Sequence, residues 1–455
     1  MDEIAQRLEE LRRLGRTRGL RVIDGPQGPR VTVDGEPVVL LCSNNYLGLA
    51  DHPRVREAAA QAAMQWGAGA GASRLVSGTM TIHQRLERRL AAFHHTEACV
   101  LFGSGYLANT GTIGALAGRG DTVYSDELNH ASIIDGCRGS RADVVVYRHR
   151  DVEHLEWLMR RDEGESLSGG SVDRNDGRGG RNSAGRDACR GHGVRKLIVT
   201  DAVFSMDGDI APLKEIVELA HRHGARTLVD EAHAIGALGP GGRGTVAQAG
   251  LEAEVDVVIG TLGKALGSYG AYVCASEEMI RYLINTARPL IFSTAPPPPA
   301  IAAALAALEM LEEKPERVQR LRSNARVLRR ALATEGIATE DVEMHIVPVI
   351  VGEERAAVGL CEAALREGVF AQAIRPPTVA KGTSRLRLTA MATHTAQELR
   401  EAACTIARAA REQELDLAAT GAQPAAGDAT TSAAADTEAD AVTASAAEPG
   451  LARAA

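Results

Sequence analysis

One lysine, Lys264, follows a short apolar segment and lies in a glycine-rich stretch. Residues 255–259 are apolar and β-branched except for Asp256, which predicts a buried strand, and residues 260–267 predict a loop. Ligands of open α/β sheets bind at the carboxyl ends of the strands. Burial there lowers the pKa of a lysine amine, and only the neutral amine attacks a carbonyl. Lys264 is therefore a candidate Schiff-base lysine, whereas the alternative is a surface lysine in a glycine-rich turn.

A carboxylate and an imidazole follow one another at the end of a second predicted strand, residues 225–230. The strand ends at Asp230, and His233 lies three residues further on. Taken alone, the aspartate could cap a turn and the histidine could be an ordinary core residue. Together with Lys264 they match the needs of pyridoxal phosphate (PLP), which is held by a lysine Schiff base with a charged partner on its pyridinium nitrogen. An aspartate keeps that nitrogen protonated, so the ring can accept electrons from a carbanion.

Two further candidates follow other predicted strands. Gly105 and Tyr106 come after the predicted strand 97–102 and open a helix, whose free backbone N–H groups suit a phosphate. Glycine also occurs at helix starts for steric reasons, and the stretch lacks the full Gly-x-Gly-x-x-Gly pattern of a dinucleotide site. His130 follows the predicted strand 121–125 and either stacks on a flat cofactor or caps a helix. The polar residues at 43–46 are interpreted as turn residues rather than as substrate contacts.

The elements that position these residues alternate between strand and helix from about 58 to 274. This pattern predicts an α/β fold with a mostly parallel, doubly wound sheet. We predict an N-terminal helix and hairpin arm at 1–45, a large domain at 46–287 and a smaller C-terminal α+β domain at 288–414. Residues 163–193 and 415–455 lack an apolar pattern, so they are predicted to be a disordered insertion and a disordered tail.

Composition excludes several classes of function. The chain has 455 residues and a net charge of −8, which favours neither a nucleic-acid partner nor an anionic membrane. Its seven cysteines include no Cys-x-x-Cys pair, so neither a metal site nor a disulfide framework is expected. A reduced, cytoplasmic location is the expectation, because the N-terminus has no apolar signal region and no apolar run is long enough to cross a membrane.

Six motifs that occur in order over residues 1–410 resemble those of the α-oxoamine synthases, PLP enzymes of the aspartate aminotransferase fold (fold type I). They are Ser43-Asn-Asn-Tyr-Leu-Gly-Leu, Leu101-Phe-Gly-Ser-Gly-Tyr, Asn129-His-Ala-Ser, Val203-Phe-Ser-Met-Asp-Gly-Asp, Val229-Asp-Glu-Ala-His and Gly260-Thr-Leu-Gly-Lys. Two positions depart from the family pattern, because Glu231 stands where a second aspartate is common and Ala234 where glycine is common.

The resemblance implies a role for each candidate. Lys264 would bind PLP and move the proton of the substrate α-carbon, Asp230 would pair with the pyridinium nitrogen, and His233 would bond the phenolic oxygen. His130 would stack on the ring and face the substrate. The remaining contacts would come from Gly105, Tyr106 and Thr261 to the phosphate, Ser205 to the cofactor, Arg387 to the amino-acid carboxylate, and Thr378 and Arg18 to the acyl group.

The stretch 373–387 is most similar to family members that act in biotin synthesis. It implies that L-alanine condenses with pimeloyl-CoA, or with a pimeloyl carrier protein, and loses carbon dioxide in a homodimeric enzyme. Three alternatives remain. The first is another family member that joins glycine to acetyl-CoA. The second is a nucleotide-binding dehydrogenase, which the missing dinucleotide pattern disfavours. The third is an inactive PLP-fold scaffold, against which the presence of both Lys264 and Asp230 argues.

Overall fold

A computed structural model describes residues 2–168, 195–339 and 344–418. Most of the predicted insertion and the predicted tail beyond 418 lie outside the described residues. Among the described residues, none of the helices combines the length and the apolar character that crossing a membrane requires.

The strands alternate with helices over most of the chain, as the sequence pattern predicts. The strands are β1 (Ile23–Asp24), β2 (Arg30–Val33), β3 (Glu36–Leu40), β4 (Ala98–Phe102), β5 (Thr122–Asp126), β6 (Asp143–Tyr147), β7 (Lys196–Asp201), β8 (Arg226–Asp230), β9 (Val257–Thr261), β10 (Ala271–Ala275), β11 (Ile346–Gly352), β12 (Val369–Phe370), β13 (Gln372–Ile374) and β14 (Ser384–Thr389). The helices are α1 (Glu3–Arg13), α2 (Pro53–Trp66), α3 (Thr81–His94), α4 (Gly105–Leu116), α5 (Ala131–Ser140), α6 (Val152–Ser168), α7 (Leu213–His223), α8 (Thr245–Ala249), α9 (Glu277–Thr286), α10 (Arg288–Ile291), α11 (Pro298–Glu313), α12 (Glu316–Thr334), α13 (Glu354–Arg366) and α14 (Ala396–Glu412).

A seven-stranded sheet in the order β4-β10-β9-β8-β7-β5-β6 forms the centre of the molecule. The strands from β9 to β6 are parallel to one another, and β10 runs antiparallel to both of its neighbours. Successive residues of a strand face opposite sides, so Leu228 and Val257 pack on one face while Val229 and Val258 pack on the other. Apolar residues of α4, α5 and α9 cover the first face, and those of α3, α6, α7 and α11 belong to the core of the second.

The carboxyl ends of β7, β8 and β9 lie side by side, because Asp201 pairs in register with Asp230, and Asp230 pairs with Ile259. The loops that follow these strands carry Ser205, His233 and Lys264. This is the edge of a parallel sheet at which ligands bind. The fold therefore brings three sequence-distant candidates to one place.

A second core joins the C-terminal elements to the start of the chain. The sheet β11-β14-β13 packs with α12, α13 and α14, and Val39 and Leu41 from the N-terminal segment belong to the same cluster. The N-terminal hairpin forms as predicted, with Asp34 and Gly35 at positive φ of 52° and 91° in its turn. Its strand β3 pairs in parallel with β12 in a four-stranded sheet, so this part of the predicted arm is joined to the C-terminal unit.

Two predicted boundaries differ from the structure. Helix α6 continues to Ser168, beyond the predicted start of the insertion at 163, because Glu163 forms an ion pair with Lys196 at 2.5 Å and accepts from His223. The chain also stays ordered past 415, since Leu417 is buried and its carbonyl accepts from the backbone N–H of Ala338 at 2.7 Å. Composition does not reveal such single contacts.

Candidate active site

Lys264 lies in the loop between β9 and β10, where its side chain is shielded by the surrounding elements. Its Nζ lies 2.9 Å from Nε2 of His233. Burial lowers the pKa of Lys264 to about 8, although the carboxylates of Asp230 and Asp201 act in the opposite direction. The predicted shielding of this lysine is therefore present, and the amine is partly neutral near physiological pH.

Asp230 ends strand β8 and is buried. Its Oδ1 accepts from the backbone N–H of Ala232 at 2.8 Å, and its Oδ2 accepts from Nδ2 of Asn109 at 2.7 Å. On the neighbouring strand, Asp201 accepts from the backbone N–H of His130 at 2.7 Å. Burial, together with the adjacent Asp230, raises the pKa of Asp201 well above its usual range.

His233 connects the lysine to the N-terminal segment. Its Nδ1 lies 2.7 Å from the Tyr46 hydroxyl, which in turn donates to Oδ1 of Asn44 at 2.9 Å. Burial lowers the pKa of His233 well below its usual value, and the nearby positive charge of Lys264 acts in the same direction. A neutral imidazole at this position accepts a hydrogen bond from Lys264 at Nε2 and donates one to the Tyr46 hydroxyl from Nδ1.

The polar stretch at 43–46 serves two purposes, so the turn interpretation is only half right. Asn45 is a turn residue, because its Oδ1 accepts from the backbone N–H groups of Leu49 and Ala50 at 3.0 and 3.2 Å. Asn44 and Tyr46 instead extend into the site, as described above. Adjacent side chains of an extended segment point in opposite directions, and the segment can therefore do both.

His130 is the N-cap residue of α5, and its ring also faces the site cavity. Nδ1 lies 2.7 Å from the hydroxyl of Ser132. Burial lowers the pKa of His130, an effect that the charge of Asp230 partly offsets. The structure confirms the helix cap and places the ring at the cavity, whereas stacking of this ring on a cofactor stays a prediction.

Arg387 comes from β14 of the C-terminal unit and closes the other side of the site. Its Nε donates to the backbone carbonyl of Ser205, and its Nη1 and Nη2 lie 3.2 Å from Oδ1 of Asn44 and 3.4 Å from the Tyr46 hydroxyl. These contacts use three of the five N–H donors of the guanidinium, and the remaining donors are available for a carboxylate.

A cavity of about 200 Å³ joins these groups. Four predicted site residues of the large domain line it: His130, Ser205, His233 and Lys264. Arg387 of β14 is a fifth predicted residue in the lining. The other lining residues, which sequence reasoning did not select, are Cys42, Asn44, Met206, Gln372 and Ile374. The lining therefore comes from both structural units of the chain. Neither unit alone would enclose a small molecule there.

Six predicted site residues lie outside this lining: Asp230, Gly105, Tyr106, Thr261, Thr378 and Arg18. Gly105 begins α4, and no atom of a non-adjacent residue lies within 4 Å of the position that a Cβ would take. The hydroxyl of Thr261 donates to the carbonyl of Gly270 at 3.2 Å. Tyr106, Thr378 and Arg18 are exposed. Their proposed contacts with phosphate and acyl groups remain predictions.

Sequence reasoning missed Asn109 and Asp201 as members of the site. Asn109 is a buried amide on a largely apolar helix, and that contrast is the signal in the sequence that marks it. Asp201 directly follows four buried strand residues, and Asp230 directly follows three. A polar group at the carboxyl end of a buried strand is therefore the more general signal at this sheet.

Glu231, one of the two departures from the family pattern, has a structural role. It is fully buried, and its carboxylate accepts from the backbone N–H groups of Thr245 and Val246 at 2.9 and 2.8 Å, at the start of α8. Burial raises the pKa of Glu231 to about 7. These contacts tie Glu231 to the start of α8.

The side chains at this site fit PLP. A shielded lysine suits an aldehyde, and the carboxylate of Asp230 suits a ring nitrogen. Asn109, in the second turn of the 12-residue helix α4, joins this helix to Asp230, and the backbone N–H groups at the start of the helix would suit a phosphate.

The chain is similar to known proteins over almost its whole length. The family model "Aminotransferase class I and II" matches residues 36–406. The 8-amino-7-oxononanoate synthase of Citrifermentans bemidjiense is 48% identical over 89% of this chain and 97% of its own, and that of Geobacter sulfurreducens is 49% identical over 90% and 98%. The solved K265A variant of serine palmitoyltransferase from S. paucimobilis, which holds a PLP–myriocin adduct, superposes with a TM-score of 0.79. It is 32% identical and covers 90% of this chain and 97% of its own.

These matches confirm the predicted fold type and the predicted family resemblance. The identity extends over both structural units that line the cavity, and the curated relatives are covered almost completely. The chain therefore belongs to the class I and II aminotransferases and, among them, to the family of the 8-amino-7-oxononanoate synthases.

Proposed function

We propose that this chain is a PLP-dependent acyltransferase that joins L-alanine to a pimeloyl thioester and releases carbon dioxide. The product would be 8-amino-7-oxononanoate, an intermediate of biotin synthesis. The observation that carries the proposal is the hydrogen bond of 2.9 Å between Lys264 and His233 in a cavity that Arg387 closes. The names of the curated relatives at 48–49% identity supply the substrate class.

When bound, PLP supplies an aldehyde that captures an amine and a ring that withdraws electrons from the α-carbon. Lys264 holds this aldehyde and later moves the proton at the substrate α-carbon, a task that suits an amine with a pKa of about 8. Asp230 would pair with the ring nitrogen, and Asn109 and the backbone of Ala232 hold its two oxygens.

The chain's other residues orient the amino acid. Arg387 would bind its carboxylate with the N–H donors that its protein contacts leave over. His130 would cover one face of the ring, and Ser205 and His233 would contact the ring substituents. Closure by residues of both units keeps water away from the reacting carbon, and this favours carbon–carbon bond formation over hydrolysis.

For the acyl group, we propose contacts with Arg18 and Thr378. Arg18 is exposed, whereas the nearby Arg21 is engaged by Glu362 and lies 3.8 Å from Asp34. The free guanidinium of Arg18 therefore suits the distal carboxylate of a pimeloyl group better than Arg21 does. Whether the thiol carrier is CoA or a protein is decided by the assay below.

We also propose a homodimer located in the cytoplasm. Several large apolar side chains are exposed in the single chain, among them Leu75, Val76, Tyr269 and Phe292. Exposed apolar area of this kind favours association. Sedimentation of the purified protein at several concentrations measures the oligomeric state, and a monomer at micromolar concentration would contradict this part of the proposal.

The experiment that tests the function uses the purified chain with PLP, L-alanine and pimeloyl-CoA. We expect CoA release together with a product of the mass of 8-amino-7-oxononanoate, and a change in visible absorbance when L-alanine is added. Parallel reactions contain glycine with acetyl-CoA, and L-alanine with a pimeloyl carrier protein. Faster turnover of glycine with acetyl-CoA would assign the chain to the other branch of the family, and no turnover of any pair would support an inactive scaffold.

A further inference from the structure

Outside the cavity, one histidine is held between two carboxylates. His149 lies in the turn between β6 and α6, and its side chain is 12% exposed. Its Nδ1 lies 2.9 Å from Oδ1 of Asp126, and its Nε2 lies 2.6 Å from Oδ2 of Asp209. An ionised carboxylate only accepts hydrogen bonds, so both ring nitrogens must carry a proton. His149 is therefore an imidazolium between two anions.

The neighbouring Arg150 also donates to both carboxylates. Arg150 donates its backbone N–H to Asp126 at 2.9 Å, and its Nη1 lies 3.2 Å from Asp209. The carboxylate of Glu127 accepts from the backbone N–H of His149 at 2.8 Å. Burial opposes the charge of the imidazolium, but the hydrogen bonds to Asp126 and Asp209 outweigh it and raise the pKa of His149 to about 9.

Asp209 belongs to a short closed loop, residues 203–210, that follows β7. Val203 and Ile210 form a bridge at its base, and the backbone N–H of Phe204 donates to the carbonyl of Asp209 at 3.0 Å. The ring of Phe204 meets the imidazolium edge-on, with 4.3 Å between the ring centres. His149 therefore contacts both arms of the loop.

The opposite side of the same loop contacts the C-terminal unit. Arg387 donates to the carbonyl of Ser205, and Arg385 pairs with the carboxylate of Asp207. Both arginines lie on β14. The loop thus lies between the imidazolium of the large domain and the strand that supplies the carboxylate-binding arginine of the site.

We propose that His149 is a positioning residue of the site. By holding Asp209 against Asp126, it fixes the 203–210 loop so that the carbonyl of Ser205 orients Arg387. The link to substrate binding rests on the proposed function, because it assigns Arg387 to the amino-acid carboxylate. The ordering of the 203–210 loop by His149 does not depend on the proposed function and can be measured without substrate or cofactor.

The test compares His149→Gln with wild type and with His221→Gln. His221 lies on α7, where it is exposed and lies 3.5 Å from the carboxylate of Glu254. In the cofactor-free protein, hydrogen exchange of the amides of Phe204 and Gly208 should be about tenfold faster in His149→Gln and unchanged in His221→Gln. Unchanged exchange in His149→Gln would overturn the proposal.

Kinetics separate positioning from a general loss of structure. With the loaded enzyme, His149→Gln should raise KM for the amino acid about tenfold and change kcat much less, because Arg387 is misoriented while Lys264 is intact. The protection of the loop amides should also fall in wild type as the pH passes about 9, and it should be independent of pH in the variant. Equal losses of kcat and of loop protection, of the same size at every pH, would show that His149 has only a structural role.

Asp209→Asn is the second variant, and it tests the positioning proposal if His149→Gln does not fold. It should loosen the same amides, and the double variant should be no worse than the more severe single one, because both changes break one contact. Additive effects would overturn the proposal. A loosened loop in an enzyme that turns over none of the proposed substrates would leave the positioning of the loop supported and would contradict only the proposed function.

Discussion

The amine of Lys264 lies 2.9 Å from Nε2 of His233, within a site that lowers the pKa of this lysine to about 8. The imidazole is itself kept neutral by burial, so it accepts a hydrogen bond from the amine and does not compete with it for positive charge. The pair therefore supplies a lysine that is partly neutral near physiological pH, next to an imidazole that carries no charge. Five predictions follow from this geometry and its surroundings.

Lys264→Ala should abolish turnover and the borohydride-reducible attachment of PLP, because no other amine lines the cavity among the described residues. Melting temperature should change little, since the side chain fills a site rather than a packed core. Lys214→Ala on the exposed side of α7 is the matched control and should keep full activity. Product formation by Lys264→Ala at a rate near that of wild type would refute the assignment.

The rate of PLP capture by the cofactor-free chain should follow the neutral fraction of Lys264. With a pKa of about 8, that fraction rises roughly tenfold between pH 7 and 9 and then levels off. Asp230→Asn should move the curve to lower pH, because the carboxylate of Asp230 raises the pKa of the amine. Stopped-flow absorbance measures both curves. A rate that still rises beyond pH 10 would indicate an ordinary exposed lysine.

Asp230→Asn should keep the fold but lose several kcal/mol of carbanion stabilisation, because a neutral amide does not keep the pyridinium nitrogen charged. Asn109 can still contact the new amide oxygen, so the local structure should persist. The measurement is exchange of the α-proton of L-alanine with deuterated solvent, with the exposed Asp24→Asn as control. An unchanged exchange rate would count against the role of Asp230.

Arg18→Ala should weaken the use of pimeloyl-CoA by about 1.5–3 kcal/mol, the strength of a charge-assisted hydrogen bond. It should leave alanine binding unaffected and narrow the preference for pimeloyl-CoA over an uncharged acyl-CoA of similar length. Arg21→Ala, which removes the partner of Glu362, should not change that preference. The measurement is kcat/KM for both thioesters, and an equal fall for both would remove Arg18 from the acyl site.

Leu417 should contribute to stability, whereas the residues after 418 should not. A chain that ends after Ala418 should keep the melting temperature of the full chain, because the residues beyond it show no apolar pattern. A chain that ends after Asp416 loses the buried side chain of Leu417 and should be less stable by about 2 kcal/mol. Denaturant unfolding of the two truncated proteins distinguishes these outcomes, and equal stabilities would show that Leu417 contributes nothing.

Removal of the insertion predicted at 163–193 is a related expectation. Most of this insertion lies outside the described residues. The structure moves its proposed start from 163 to beyond Ser168, because Glu163 is needed for the ion pair with Lys196. A deletion should therefore begin after 168.

The sequence by itself determined the α/β fold type and the central candidates. Short β-branched segments followed by glycine, aspartate or histidine are local patterns, and the physics that produces strands and loops from them acts over a few residues. Lys264, Asp230, His233 and His130 were found in this way because each follows its strand directly in the chain. The family resemblance added roles and substrates, which no local pattern contains.

Only the tertiary structure decided which distant side chains meet. Tyr46 and His233 lie 187 positions apart, and Arg387 reaches the carbonyl of Ser205 from another structural unit. The same holds for His149, whose charge depends on two carboxylates from separate segments. Burial and pairing of charges arise from the packing of whole elements, so the pKa values of such groups are properties of the folded chain and cannot be read from the order of its residues.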